Sequence, residues 1–387
     1  MAKIALFTPY LPAPAFTGGR IRISELALGL QQLGEVHLFA QAGFSESAQA
    51  KAAPELAQFS SVHIARRLVP TWPWSKLPKR VLRGSPTQQK AALRAAGPFD
   101  LAVVEHSHAA RWALTLDAPL LLDEHNIESR FLAAKLEALG QGRGLAEVRK
   151  LEAWERRLWR EAESVVAVTE ADAEHIAPFR DRAPEVIPNG VNLSKIRFIP
   201  PSERLGSGIL LVGLMDHPPN VAAAKMLAEN VMPVVWRVRP EAQLTLCGAN
   251  PTREVLRLGS ERVVVTGRVA SVAPFLEQAR VCALPLSQGA GSSLKILEAL
   301  ASGLPLVASE VAVRGFALQS GTDYLPATDA ETTAAHIVTL LSAVGDDERA
   351  RSGRQFAEAF DWTGLAQRFA SLASDLIKSP KRRTAKR

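Results

Sequence analysis

The chain has 387 residues, 47% hydrophobic and 22% charged, which are the values of a globular protein and suit two domains with buried cores. Its net charge of +7 falls to +1 without the last ten residues, which hold six Lys and Arg, so the charge excludes a nucleic-acid-binding body. No apolar run reaches the roughly 18 residues that a membrane-spanning helix needs.

The first half of the chain alternates short apolar runs with segments of helical periodicity. No cleavage site for a signal peptidase follows the first apolar run, Ile4–Phe7, so this run predicts a buried strand and not a signal peptide. The predicted strands are Ile4–Phe7, Val36–Ala40, Leu101–Val104, Leu120–Leu122, Val165–Val168 and Val186–Ile187. Their continuous apolar character indicates a parallel sheet buried on both faces. The longest helical segment, 145–163, is rich in Arg and Glu and predicts a partly exposed helix.

The second half repeats this alternation, which predicts a second doubly wound α/β domain. Its predicted strands are Ile209–Val212, Leu244–Cys247, Val263–Val265, Val281–Leu284 and Leu306–Ala308. The only cysteines, Cys247 and Cys282, lie in these runs, so we predict core thiols in a reducing, cytoplasmic compartment. A segment rich in Pro, Gly and Ser predicts a linker. The expected organisation is a domain at 1–198, a linker at 199–206, a domain at 207–358, a helix at 359–377 that packs on the first domain, and a basic tail at 378–387.

Two basic segments lie outside the predicted cores. Trp72 and Trp74 precede several Lys and Arg residues on a proline-interrupted loop, and the tail carries the charge described above. Aromatic and basic side chains suit an anionic membrane surface or a lipid-linked acceptor that carries phosphate. A surface loop packed on its domain, followed by a solvated tail, explains the same residues. The sequence leaves both interpretations open.

One loop and helix carry the strongest chemical signal. Residues 288–307 read QGAGSSLKILEALASGLPLV, in which a Gly/Ser loop leads from a strand into a helix near Ser293. Such a loop lets backbone N–H groups approach an anion, and the helix start favours negative charge. Lys295 and Glu298 share one helix face, where they could meet a pyrophosphate and ribose hydroxyls. An ordinary loop with a solvated Lys/Glu pair is the alternative.

The motifs together resemble those of retaining glycosyltransferase family 4, which has the GT-B fold of two Rossmann-like domains facing a cleft. The loop and helix resemble the branch motif GxGTRLKxLEAxAxGxPVV. Five further segments agree in order, namely Gly18–Arg20 with the glycine loop, DEHNIE at 123–128, VTEAD at 168–172, VIPNGV at 186–191 and GLMDHPPN at 213–220. The likeness covers residues 1–375.

The resemblance implies roles for individual residues. His125 matches a histidine near the donor sugar, and Glu298 matches the glutamate that holds the donor ribose, so both are predicted catalytic-site residues. Without the resemblance, the sequence favours a structural histidine at a strand end for His125. The predicted donor-binding residues are Gly18, Gly19, Arg20, Arg268, Gly289, Ala290, Gly291, Ser292, Ser293, Leu294, Lys295 and Glu298.

The chain also departs from the family pattern. Ala290 stands where the motif has its first Glu, and Ser292 and Ser293 replace Thr-Arg. The Arg/Lys pair that many members carry after the first strand of the second domain is absent from 213–220. Phosphate charge is then left to Lys295, Arg268, Arg20 and backbone amides.

The polar residues after two neighbouring predicted strands could form either a metal site or a polar wall. Glu105, His106 and His108 follow one predicted strand, and Asp123 to His125 follow the next. These are usable metal ligands, but their spacing matches no defined metal motif and the family needs no metal. We therefore predict a polar wall, with neither a metal nor another cofactor.

The implied reaction moves a sugar from a nucleotide-sugar donor to a glycan or lipid-linked acceptor with retention of anomeric configuration. Cell-surface polysaccharide or glycoconjugate synthesis is the expected setting, in the cytoplasm or at the inner face of the membrane. Two alternatives stay open, namely a non-catalytic GT-B protein that binds nucleotide sugar, which Ala290 favours, and a nucleotide-sugar epimerase.

Overall fold

The computed structural model describes residues 1–43, 53–67, 75–83, 85–138, 144–288, 293–342 and 346–379. The chain forms two compact units. The first contains Met1–Pro188 and Thr363–Arg387, and the second contains Asn189–Trp362. Trp72, Trp74, Gly289–Ser292 and the tail from residue 380 lie outside the described residues.

The first unit is built on a parallel sheet of seven strands in the order β3-β2-β1-β4-β5-β6-β7. Its strands are β1 (Ala2–Thr8), β2 (Gly34–Ala42), β3 (Ser61–Arg66), β4 (Leu101–Glu105), β5 (Leu120–Glu124), β6 (Ser164–Ala167) and β7 (Glu185–Val186). Its helices before the second unit are α1 (Gly18–Gln31), α2 (Pro86–Ala96), α3 (Glu128–Ala138), α4 (Leu145–Glu161) and α5 (Glu170–Ile176). Strands β4 and β5 are buried along their length and β1 is buried from Ile4 onward, as their continuous apolar runs predict.

The second unit repeats the plan with six parallel strands in the order β10-β9-β8-β11-β12-β13. The strands are β8 (Gly208–Val212), β9 (Gln243–Cys247), β10 (Val263–Gly267), β11 (Val281–Leu284), β12 (Leu306–Ala308) and β13 (Leu325–Pro326). The helices are α6 (Pro218–Lys225), α7 (Met232–Val238), α8 (Arg253–Arg257), α9 (Ala273–Gln278), α10 (Leu294–Ala301), α11 (Glu310–Val313), α12 (Ala330–Ser342) and α13 (Asp347–Glu358), with a π-helical segment, Met226–Val231, between α6 and α7. Both cysteines are buried here as free thiols, as the sequence predicts.

The last helix, α14 (Trp362–Lys378), returns the chain to the first unit from Thr363 onward. The backbone carbonyl of Ala366 lies so close to Gly29 of α1 that a Cβ on Gly29 would stand 2.3 Å from it. The Arg368 guanidinium donates to the carbonyl of Val186 in β7 at 2.8 Å. No helix among the described residues is long and apolar enough to cross a membrane.

The segment 199–206, predicted to be a linker, is hydrogen-bonded to the rest of the second unit. The buried guanidinium of Arg204 donates to five backbone carbonyls, those of Ile199 at 3.1 Å, Leu276 at 2.6 Å, Glu277 at 3.4 Å, Ala279 at 2.8 Å and Ser302 at 2.5 Å. The compact units divide earlier in the chain, between Pro188 and Asn189.

Candidate functional site

In both sheets the strand order reverses between two neighbouring strands, β1 and β4 in the first unit and β8 and β11 in the second. Open parallel sheets bind ligands at the carboxyl ends of the strands beside such a reversal. The glycine loop follows β1, and His125 follows β5. Lys295 and Glu298 follow β11. Each predicted group therefore lies at the ligand-binding edge of its own unit.

The glycine loop of the first unit leads into α1. Thr17 caps the helix by accepting a hydrogen bond from the Arg20 N–H, and Gly18 and Gly19 form its first turn. A Cβ on Gly19 would stand 2.2 Å from the Tyr10 hydroxyl and 3.4 Å from Nδ1 of His125. A side chain at this position would therefore have to displace the Tyr10 hydroxyl.

The Arg20 guanidinium is held beside this loop. Its Nη1 donates to the carbonyl of Pro14 at 3.4 Å, and the guanidinium lies 4.8 Å from the centre of the Phe16 ring. Stacking on an aromatic face stabilises a cation without neutralising its charge. Arg20 thus keeps a positive charge at the start of α1, where the resemblance implies donor phosphates.

A buried ion pair anchors the wall around His125. Arg22 donates to both carboxylate oxygens of Asp123, at 2.8 and 2.7 Å, and both side chains are fully buried. Burial alone would raise the pKa of Asp123, but the Arg22 charge and hydrogen bonds hold that pKa well below its usual range. Burial and the Asp123 charge raise the pKa of Glu105 well above its usual range. The His125 Nε2 lies 2.6 Å from Oε2 of Glu105, so this pairing fixes the ring with Nδ1 facing Gly19.

A second buried chain of hydrogen bonds lies beside the first. Nδ1 of His106 is 2.9 Å from Oε1 of Glu128, and Nε2 of His106 is 3.0 Å from the Tyr10 hydroxyl. Arg80 donates to the other Glu128 oxygen at 2.5 Å. The His106 and His125 rings are 3.9 Å apart between centres, so the two networks share one wall.

In the second unit, Lys295 does not point into solvent as the alternative interpretation required. Its Nζ donates to Oδ1 of Asn220 at 2.8 Å, and the Asn220 amide donates in turn to the carbonyl of Leu214. A Cβ on Gly213 would be 3.0 Å from this Nζ. The lysine thus reaches the end of β8, the place where the usual Arg/Lys pair is absent. Burial lowers the pKa of Lys295 to about 8.

Glu298 lies on the same half-buried face, one turn along α10. Burial raises the pKa of its carboxyl group to about 7, and the Lys295 charge opposes this increase. Ser293 and Leu294 form the cap and first residue of α10, as the sequence predicts within one residue. The loop Gly289–Ser292 that precedes them lies outside the described residues.

Glycines end the three neighbouring strands β8, β9 and β10. A Cβ on Gly248 would stand 1.7 Å from the carbonyl oxygen of Gly213, so these two strand ends touch. Gly267 has φ +65 and nothing within 4 Å of a Cβ position, so its backbone borders open space. Exposed Arg268 follows directly. Within the described part of the chain, this edge has open space at Gly267 and carries a cation on each side, Arg268 and Lys295.

Two family models match successive parts of the chain. "Glycosyltransferase Family 4" matches residues 16–195, and "Glycosyl transferases group 1" matches residues 206–343. The chain is of the GT-B, glycosyltransferase family 4 type. Solved structures agree with this fold. The sucrose-phosphate synthase of Thermosynechococcus elongatus has a TM-score of 0.71 at 20% identity, with 98% of this chain and 100% of that chain covered.

Two further proteins are similar to this chain. HepE of Anabaena, solved in complex with UDP-glucose, has a TM-score of 0.67 at 15% identity and covers 97% of this chain and 100% of its own. A phosphatidyl-myo-inositol mannosyltransferase of Mycobacterium leprae is 26% identical over 191 residues, which are 46% of this chain. The matched segment spans 50% of the length of that curated relative.

The sequence predicts no role for three residues of the candidate sites, Arg22, Asn220 and Tyr10. Arg22 is a charged residue within the apolar stripe of α1, and this position is the sequence signal that indicates a buried, paired side chain. Asn220 is the last residue of the GLMDHPPN segment at 213–220. Tyr10 follows β1 directly and is one of only two tyrosines. Their partners lie far along the chain, so spacing could not reveal them.

Among the described residues, two groups could hold a metal ion, His106/His108/Glu128 and Glu105/Asp123/His125. Glu128 joins the residues predicted from the sequence, and Glu124 belongs to neither group. In each cluster a carboxylate already pairs with an arginine, Arg80 on Glu128 and Arg22 on Asp123. Such pairing opposes the binding of a second cation and favours the polar wall. Independence from metal stays a prediction.

The titration of Lys295 and Glu298 predicts a bell-shaped affinity for a nucleotide sugar. Ribose hydroxyls donate to an ionised carboxylate, so affinity should rise as pH passes through about 7. A diphosphate needs a protonated lysine, so affinity should fall above about 8. Calorimetry with UDP-glucose measures this, because its phosphates do not titrate in this range. Glu298→Gln should remove the acid limb and Lys295→Arg the alkaline limb, and a flat wild-type profile would contradict the assignment.

Proposed function

We propose that the protein transfers a sugar from a nucleotide-sugar donor to a glycan or lipid-linked acceptor with retention of anomeric configuration. The observation that carries this proposal is the hydrogen bond of Lys295 to Asn220, which holds a half-buried cation at the ligand-binding edge of the second unit. Cleavage of a nucleotide sugar leaves negative charge on the departing phosphate, and a fixed cation stabilises that charge.

The remaining groups of the second unit fit a nucleotide. Glu298 offers a carboxylate to ribose hydroxyls one helical turn from Lys295, and Gly267 at the end of β10 leaves room for backbone contacts. The UDP-glucose complex of HepE supports a nucleotide sugar as the ligand class. Both matching family models describe glycosyltransferases.

The groups of the first unit fit the sugar. Nδ1 of His125 faces Gly19, while Nε2 is occupied by Glu105, so one nitrogen is held for a ligand hydroxyl. In retaining transfer the departing phosphate itself accepts the acceptor proton, so no nucleophilic side chain is assigned. Synthesis of a cell-surface polysaccharide or glycoconjugate is the setting that we propose for this activity.

Replacing His125 by alanine should lower turnover much more than nucleotide affinity, because the proposed partner of His125 is the sugar. The protein is incubated with UDP-glucose, GDP-mannose and ADP-glucose plus a lipid-linked acceptor extract, and free nucleoside diphosphate is measured. We expect a loss of about 10²-fold in release, the scale of one misplaced catalytic contact, with unchanged affinity for the bare diphosphate.

The matched control is His175→Ala, which removes a half-buried histidine of the same unit on α5. It should release nucleotide at the wild-type rate. An equal loss of affinity for the bare diphosphate in His125→Ala would assign this residue to phosphate binding or folding. Absence of release in wild type from a donor that binds would favour a non-catalytic protein, the alternative that Ala290 raises.

A further inference from the structure

We propose that Tyr10 contacts a hydroxyl group of the transferred sugar, and that Glu128 and His106 hold its phenol so that it only accepts a hydrogen bond from that hydroxyl. The assignment of the ligand rests on the proposed function. The orientation of the phenol rests on the hydrogen bonds alone.

The three groups form one continuous chain. Oε1 of Glu128 lies 2.9 Å from Nδ1 of His106, and Nε2 of the same ring lies 3.0 Å from the Tyr10 oxygen. The backbone of His106 has φ +66, which a residue with a side chain rarely adopts. Backbone strain of this kind persists where the surroundings fix a residue, and here both ring nitrogens are engaged.

The positions of the protons follow from Glu128. Burial alone would raise its pKa, but the His106 hydrogen bond and the Arg80 charge hold the pKa of Glu128 well below its usual range. Glu128 is therefore an ionised acceptor, so His106 carries its proton on Nδ1 and donates it to Glu128. Burial lowers the pKa of His106, so Nε2 keeps a lone pair. The Tyr10 O–H must donate to that nitrogen, which leaves its oxygen only lone pairs for a ligand.

The geometry around Gly19 indicates which ligand is within reach. The position of a Cβ on Gly19 is 2.2 Å from the Tyr10 oxygen and 3.4 Å from Nδ1 of His125. Both polar atoms therefore lie beside Gly19, where the absence of a side chain lets the Tyr10 hydroxyl approach the start of α1. A sugar that contacts His125 there places a hydroxyl beside Tyr10 as well. Tyr10 would then select sugars that present a hydrogen-bond donor at that point.

The first test reads the tautomer of His106 without any activity. Nitrogen-15 spectra of histidine-labelled protein, assigned with His106→Asn, should show Nδ1 protonated and Nε2 bare. Protonation at Nε2 would overturn the proposed orientation of Tyr10 by itself.

The second test compares Tyr10→Phe with Tyr324→Phe, the replacement of the only other tyrosine, which is buried in the second unit. Calorimetry measures affinity for UDP-glucose, GDP-mannose and ADP-glucose against UDP, GDP and ADP. Tyr10→Phe should weaken binding of the preferred nucleotide sugar about tenfold, the effect of one lost hydrogen bond, and leave the bare diphosphate unaffected. Tyr324→Phe should change neither.

The outcomes separate this inference from the proposed function. Equal affinity of Tyr10→Phe and wild type for the nucleotide sugar overturns the sugar contact. A rise in KM for the acceptor with no change toward the donor also overturns it, because it assigns Tyr10 to the acceptor. If the protein binds nucleotide sugar through Tyr10 but releases no diphosphate, the contact of Tyr10 with the sugar holds and the proposed transferase activity is wrong.

Discussion

Replacement of Lys295 by methionine should lower the rate of sugar transfer by about 10²- to 10³-fold, the cost of removing one fixed group that stabilises transition-state charge. The expected size follows from the absence of the usual Arg/Lys pair at 213–220, which leaves Lys295 as the cation that reaches the end of β8. Asn220→Ala should cause a smaller loss, because it frees the lysine without removing its charge.

This loss should not arise from unfolding. Burial lowers the pKa of Lys295, which means that the folded protein disfavours its charged form. Methionine removes the charge and matches the lysine side chain up to its Cε, so thermal stability should stay the same or rise. The control is Lys225→Met on α6, where the ammonium group is exposed and 3.6 Å from Glu254. A folded Lys295→Met protein with wild-type turnover would contradict the role of this lysine.

Replacement of Arg22 by methionine should destabilise the first unit by about 3–5 kcal/mol, the cost of leaving one partner of a buried ion pair uncompensated. Asp123 would then be a fully buried carboxylate beside Glu105, whose pKa its charge already raises. Calorimetric unfolding of the whole chain measures this as a shift of the transition of the first unit.

A matched pair on the surface gives the control for Arg22. Arg157 on α4 pairs with Glu161 at 2.8 Å, but both side chains are more than a third exposed. Such pairs contribute about 0.3–0.5 kcal/mol, so Arg157→Met should leave the transition almost unchanged. Arg22→Met/Asp123→Leu should regain much of the lost stability, because it removes the unpaired charge. Similar small shifts in Arg22→Met and Arg157→Met would contradict the proposed anchoring of the His125 wall.

Most of the fold follows from local sequence patterns. Strands at the centre of each sheet are continuous apolar runs, and each prediction overlaps an observed strand. The prediction missed β3 and β13, which lie at the outer edges of the two sheets. β3 reads SVHIAR and is mostly half-buried, so no continuous apolar run marks it. The two residues of β13 give too short a pattern to detect.

The candidate sites, too, could be predicted only where their residues are close together in the sequence. The loop and helix around Lys295 and Glu298 are continuous in sequence, so their residue types and helical spacing predicted an anion site. The partners of these side chains are not local. Lys295 and Asn220 are 75 positions apart, and Arg22 and Asp123 are 101 apart. Only the parallel order of the strands brings such residues to one sheet edge, and no spacing rule contains that information.

The fate of the anomeric carbon tests the proposed function most directly. The protein is incubated with a nucleotide sugar that binds, labelled with carbon-13 at the anomeric position, and with the lipid-linked acceptor extract. We expect the label to leave the diphosphate and appear in an acceptor linkage with the same anomeric configuration, and Glu298→Ala to abolish this transfer. Label that remains on the nucleotide, appears in an epimerised nucleotide sugar, or reaches the acceptor with inverted configuration would contradict retaining glycosyl transfer.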